Sequence, residues 1–136
     1  TDRSHEPGAG AAGGLGFGLL SFVGARLRRG VEVVMEAVGF ADRLGSASLV
    51  ITGEGSFDAG SFRGKVPAGV LEACAPAGVP AAIVCGVASV GAPGAVVRSL
   101  VDLVGPDAAL ADAAGSLERL AEALATDAAV VGATQG

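Results

Sequence analysis

Ser48-Leu-Val-Ile-Thr52, the helical stretch 66–75 and Ala81-Ala-Ile-Val-Cys85 are the three pieces of sequence that decide the fold. The first and last are short, uncharged and rich in branched side chains, the pattern of strands buried on both faces. Gly53 closes the first run. Between the runs, Pro67 falls in a first helical turn, where a missing N–H costs nothing, and Pro76 and Gly78 stop the helix. Strand, helix, strand is a βαβ unit, which pairs its strands in parallel through a right-handed crossover. The expected fold class is therefore α/β, a layered parallel sheet. The 48–52 strand is read as central and Val101 to Val104 as a third strand at an edge.

Upstream, Leu15, Leu19, Phe22 and Val23 fall on one helical face. Arg28 and Arg29 before Gly30 read as that helix's cationic last turn and glycine stop, with Arg26 in the same basic cluster. A second helix over 31–38 is expected to bury Val31, Val34, Met35 and Val38. Downstream, Leu110, Ala114, Leu117, Ala121 and Leu124 keep one stripe through Gly115. A single closing helix over 107–128 is expected, despite the glycine's cost of ~1 kcal/mol relative to alanine. Residues after 129 read as a frayed tail.

Composition excludes several classes of function. Of the 136 residues, 51% are hydrophobic, too many for an intrinsically disordered chain. The net charge of -5 lacks the basic footprint of a duplex-binding module. Two uncharged stretches, 7–25 and 73–97, reach the length of a membrane span. Six glycines from Gly8 to Gly18 break the first, and Pro76, Pro80 and Pro93 break the second, so neither nucleic acid nor membrane is expected as a partner. Cys74 and Cys85 form no CxxC and have no neighbouring histidine, so they read as small buried apolar residues in a reducing compartment. His5, the sole histidine, reads as a solvated tail residue. The polar start at Thr1, without a leader-like segment, reads as a cut through a longer protein.

Two segments carry residues suited to chemistry. Pro7-Gly-Ala-Gly-Ala-Ala-Gly-Gly-Leu-Gly16 contains a formal GxGxxG at Gly8, Gly10 and Gly13, but Thr1 to Glu6 cannot supply the strand that a dinucleotide fingerprint needs before it. A glycine-rich turn opening a helix can present bare N–H groups to an anion. It can equally let a helix pack closely on a neighbour, and the pattern leaves both readings open.

The second segment, Thr52-Gly-Glu-Gly-Ser-Phe-Asp-Ala-Gly-Ser-Phe-Arg-Gly-Lys65, follows the carboxyl end of a buried strand, where open α/β sheets bind ligands. It brings Glu54, Asp58, Ser61, Arg63 and Lys65, the chain's only lysine, into one loop. Carboxylates, hydroxyls and a cation suit phosphoryl transfer, which needs a metal-side ligand, a proton acceptor and positive charge on the phosphate oxygens. The spacing is not that of a Walker loop, and the bland alternative is a solvated polar loop.

Together the two segments resemble the bacterial glycerate kinases of the two-domain α/β type. That family's C-terminal third carries a PGAGAAGGLG-like segment, a helix pair, and a strand running into TGEGRxDxQSxxGKxPxGV. The matching residues are Pro7 to Gly16, Val50-Ile-Thr-Gly-Glu-Gly55, Asp58, Ser61, Gly64, Lys65, Pro67, Gly69 and Val70. The resemblance implies the C-terminal portion of a two-domain enzyme that phosphorylates glycerate with ATP and Mg2+ in the cytoplasm, the upstream part of the polypeptide being absent here. Residues 1–46 would be the glycine-rich loop and helix pair at the cleft, 47–130 the βαβ unit and closing helix, and 131–136 a tail.

Carried onto this sequence, the resemblance makes Asp58, Lys65 and Glu54 the catalytic set, with Asp58 and Glu54 also the metal-side ligands. Lys65 would clamp phosphate or substrate carboxylate, and Ser61 would donate a hydrogen bond. Gly8, Gly10, Gly13, Gly14, Gly53, Gly55 and Arg63 would line the substrate and phosphate site. Ser56 stands where the family has Arg and Gly60 where it has Gln, which removes a two-pronged anion contact. A non-catalytic α/β ligand-binding or pseudo-enzyme module is the alternative reading. A flavodoxin-like nucleotide-binding domain would fit the βαβ unit but leave the GEG…D…S…GK string without a role.

Overall fold

The computed structural model describes residues 2–127. Its centre, among these residues, is a three-stranded parallel sheet in the order β1 (Val50–Phe57), β2 (Ala81–Ala88), β3 (Ala95–Ser99). Val50 pairs with Ala81 and Glu54 with Cys85, while Ala81 pairs with Ala95 and Cys85 with Ser99. The α/β class and parallel pairing agree with the sequence reading, but the central strand is β2 rather than the first strand. Ala81, Ala82, Ile83 and Cys85 are all buried, as a strand covered on both faces requires. β1 alternates half-buried Val50, Thr52 and Glu54 with exposed Ile51, Gly53 and Gly55, so one of its sides is covered and the other is open among the described residues.

One face of the sheet is covered by α4 (Val66–Ala77), which begins with Pro67 in its first turn and ends at Gly78, held in the left-handed conformation with φ 66. α2 (Gly30–Ala37) and α3 (Phe40–Leu44) pack on this side. Leu44, Val70, Cys74 and Ala81 form one core cluster, with Met35, Phe40 and Val50 against it. The other face is closed by the C-terminal helices: Ala82 packs on Leu124, and Leu100, Ala109 and Leu120 form a further cluster with Val84.

The third strand lies earlier in the sequence than expected. Val101 to Val104 is not a strand but part of α5 (Leu100–Val104). Ser99 explains the change: its Oγ accepts from the Asp102 N–H at 3.1 Å and donates to Asp102 Oδ2 at 2.6 Å, capping the first turn. The closing helix is likewise two helices, α6 (Pro106–Ala111) and α7 (Ala113–Thr126). Asp112 breaks them apart by turning its Oδ1 to accept from Gly115 N at 2.9 Å, so Gly115 is a first-turn residue of α7. The expected helix end at 128 and the tail beyond 129 lie outside the described residues.

α1 (Ala11–Phe22) differs most from the expectation. Leu15, Phe22 and Val23 are exposed, and the residues it buries are Gly16 and Leu20. The helix stops at Phe22, where the N–H groups of Val23 and Ala25 both donate to Leu19 O and Gly24 takes φ 64. Arg28 and Arg29 are therefore not its last turn. Arg28 pairs with Glu36 at 2.6 Å, and Arg29, which precedes α2, pairs with Glu72 at 2.5 Å and Glu32 at 3.5 Å. In α2 only Val31 of the four expected apolar residues is buried; Met35 is half-buried, and Val34 and Val38 are exposed. Among the described residues no helix is long and apolar enough to cross a membrane.

Candidate functional site

The stretch expected to be a loop from Gly53 onward is strand as far as Phe57. A Cβ on Gly53 would overlap the Val84 carbonyl, so the absence of a side chain is what lets β1 continue along β2. Glu54 is consequently fixed on the strand opposite Cys85, instead of riding on a mobile loop. Gly53 and Gly55 serve strand pairing in this arrangement, with the Gly55 carbonyl lying where a side chain on Gly86 would have to go.

The chain leaves the sheet at Asp58 through a short 3-10 turn, Ala59–Phe62. The turn is closed reciprocally. Asp58 Oδ1 accepts from Gly60 N at 2.7 Å, and Ser61 Oγ accepts from Asp58 N at 3.1 Å. Phe57 and Phe62 pack edge to face beneath it, ring centres 5.4 Å apart. Ser61 is fully buried, and its hydroxyl oxygen holds the turn by accepting from Asp58 N. Gly60 has a matching role, since a Cβ there would stand 2.9 Å from Asp58 Oδ1.

Beyond the turn, Arg63 and Gly64 are exposed and Lys65 stands at the start of α4. Lys65 Nζ lies 3.7 Å from Glu54 Oε2. The structure thus brings together two of the three expected catalytic side chains. Glu54 Oε1 is buried and has no hydrogen-bond partner among the described residues, leaving an unused acceptor. Such an oxygen suits a cation, because magnesium is commonly held by one or two carboxylates and completed by substrate phosphates. Among the described residues no three His, Cys, Asp or Glu side chains gather into a metal cage.

The glycine-rich segment folds on itself. Ala11 N donates to Gly8 O and Phe17 N to Ala9 O, while Ala12, Gly13 and Gly14 take left-handed angles in succession. Residues 2–10 hold turns and irregular backbone rather than the strand that a dinucleotide fingerprint places before its glycines. Among the described residues no hydrogen bond links Gly8, Gly10, Gly13 or Gly14 to Glu54, Asp58 or Lys65.

Two polar residues stand in surroundings that the sequence reading did not assign to them. Asp102, on α5, contributes with Glu54 to the field at Cys85, whose thiol is pushed up chiefly by burial and further by these two carboxylates. The Ser99-x-x-Asp102 spacing was a readable capping signal. Arg29 was read as a helix terminator, yet its Nε lies beside Gly64, 3.8 Å from where a Cβ there would sit. Cys74 and Cys85 are free and buried, as their spacing suggested.

A groove of about 880 Å³ runs along the other side of β1, between Ile51, Gly53 and Gly55 and the helices α6 and α7. Its walls are almost wholly carbon, a poor match for glycerate or a nucleotide phosphate.

The sequence profile of the glycerate kinase family matches residues 1–130. Glycerate 2-kinase of Escherichia coli K12 is 49% identical over 69 residues, which is 51% of this chain and 18% of that protein. Glycerate kinase of Bacillus subtilis 168 is 52% identical over 73 residues, 54% of this chain and 19% of that one. The crystal structure of a Salmonella typhimurium LT2 protein assigned as glycerate kinase 2 is similar with a TM-score of 0.52 and 42% identity, over 68% of this chain and 23% of the other. The chain spans about a fifth of the length of the curated relatives it matches. With the profile covering nearly its whole length, this chain belongs to the glycerate kinase family.

Proposed function

We propose that the chain supplies the C-terminal part of an ATP-dependent glycerate kinase, and that the chemistry is centred on Lys65 and Glu54. The observation that carries this is the Glu54–Lys65 pair, which joins the middle of β1 to the start of α4, with Glu54 Oε1 left unpartnered among the described residues. In phosphoryl transfer the protein's task is positioning and charge stabilisation. A glycerate hydroxyl oxygen forms a bond to the γ-phosphorus of ATP, the bond to the bridging oxygen breaks, ADP leaves, and the hydroxyl proton passes to a base.

Lys65, half exposed, is free to swing from Glu54 toward the transferring phosphate. Glu54 is the residue we assign to magnesium, which when bound would neutralise phosphate charge. Asp58 is the proposed base; one of its oxygens is committed to Gly60 N, leaving Oδ2 for the hydroxyl. Arg63 and the N–H groups of Gly8, Gly10, Gly13 and Gly14 are assigned to the substrate and phosphate side. Residues 1–46 and 47–130 are taken as the two walls of this part of the cleft, and the setting as the cytoplasm.

One observation favours a second reading, a binding module that keeps the fold without turnover. Gly60 allows the Asp58 carboxylate to fold into its own turn, and Ser56 cannot make the two-pronged contact of an arginine. Glycerate-dependent ADP formation by the whole polypeptide, with ATP and magnesium, separates the two. Turnover supports the kinase, and glycerate binding without turnover supports the module.

A further inference from the structure

We propose that the apolar groove beside β1 seats the apolar face of an amphipathic helix from the part of a glycerate kinase polypeptide that lies outside these 136 residues. Parallel sheets are normally covered on both faces. α4 covers β1 on one side, and α5 to α7 cover β2 and β3 on the other, but no described residue covers β1 on that second side. Ile51, the second residue of β1, is 56% exposed, and across the groove Leu110 is 86% and Leu117 48% exposed. The outer edge of β1 has no strand partner among the described residues.

Size and chemistry of the groove select the occupant. At about 880 Å³ it is far larger than one side chain requires. Its floor from Ile51 to Gly55 follows five residues of strand, a length of roughly 13 Å that matches two turns or more of helix. Gly53 and Gly55 make that floor flat, and Glu54 is the only charged residue along the walls. An amphipathic helix with its apolar face down would bury Ile51, Leu110 and Leu117 together. The relatives supply the source of such a helix, since this chain accounts for 18% and 19% of two of them and for 23% of the Salmonella chain. The inference concerns how the sheet is covered and stands whether or not glycerate is the acceptor.

The test is thiol labelling of Leu117→Cys in the whole polypeptide, beside Glu118→Cys on the same helix, which is exposed and outside the groove. The native Cys74 and Cys85 are buried and give a low background. At least tenfold slower labelling at position 117 than at 118 is the expected result, with Leu117→Asp lowering the melting temperature. Equal labelling at the two positions would overturn the proposal. So would protection at position 117 that is lost on dilution, which would make a second copy the occupant. Glycerate turnover, measured on the same preparations, reports separately on the functional reading.

Discussion

Lys65 Nζ stands 3.7 Å from Glu54 Oε2, joining the first residue before α4 to the middle of β1. The lysine is half exposed, so the pair contributes about 0–1 kcal/mol to stability and its removal leaves the fold intact. Lys65→Ala is expected to keep the wild-type melting temperature while lowering kcat of the whole polypeptide by about a hundredfold, the usual scale for losing a preorganised charge at a developing negative centre. A fall in melting temperature matching the fall in rate would assign Lys65 a structural role instead.

Asp58 has two roles that substitution can separate. Asp58→Asn keeps an acceptor for Gly60 N, whereas Asp58→Ala removes the cap at a cost of about 0.5–2 kcal/mol. Chemical denaturation should rank Ala below Asn and wild type. If Asp58 is the base, turnover should be lost in both variants; turnover retained in Asn would leave it only the cap.

Gly60→Gln restores the family's residue and places side-chain atoms against Asp58 Oδ1. The cap must then open, freeing the carboxylate. The expected outcome is slightly lower stability together with higher turnover. Unchanged turnover would show that the Asp58 cap does not limit the reaction.

Gly115→Ala sets two effects against each other. Alanine is the better helix former by about 1 kcal/mol, but its Cβ would collide with the Asp112 carboxylate that caps α7. The collision is expected to prevail, so the variant should unfold at lower urea concentration. Higher stability would show that the break between α6 and α7 is not held by this cap.

Burial raises the folded-state pKa of Cys74 and Cys85 above the ordinary value of 9.0. Because the unfolded thiols ionise first, their contribution to stability is complete below about pH 8.5 and is lost as pH rises through the folded values. A urea midpoint that declines in mildly alkaline solution, and declines less in a Cys74→Ala, Cys85→Ala double variant, is the expected measurement.

What could be read in the sequence follows from which forces act locally. The βαβ unit was legible because Ala81 to Cys85 and the Pro67–Gly78 frame leave few alternatives for the chain. The Glu54–Lys65 partnership was legible only as membership of one segment, since the Gly53 contact that extends β1 is made with Val84 on another strand. Side-chain caps misled the reading at two places. Ser99 and Asp112 each turn a carboxylate or hydroxyl onto the backbone, converting an apparent strand into α5 and one apparent helix into two. At α1 the apolar stripe proved a poor guide, because Leu15 and Phe22 point away from the described core.

The central claim, that this loop performs phosphoryl transfer to glycerate, is tested most directly by ADP release from the whole polypeptide with ATP, magnesium and glycerate, wild type beside Lys65→Ala. The account predicts release that requires glycerate and drops by about a hundredfold in the variant with folding unchanged. Release that is independent of glycerate, or equal in both proteins, would contradict it.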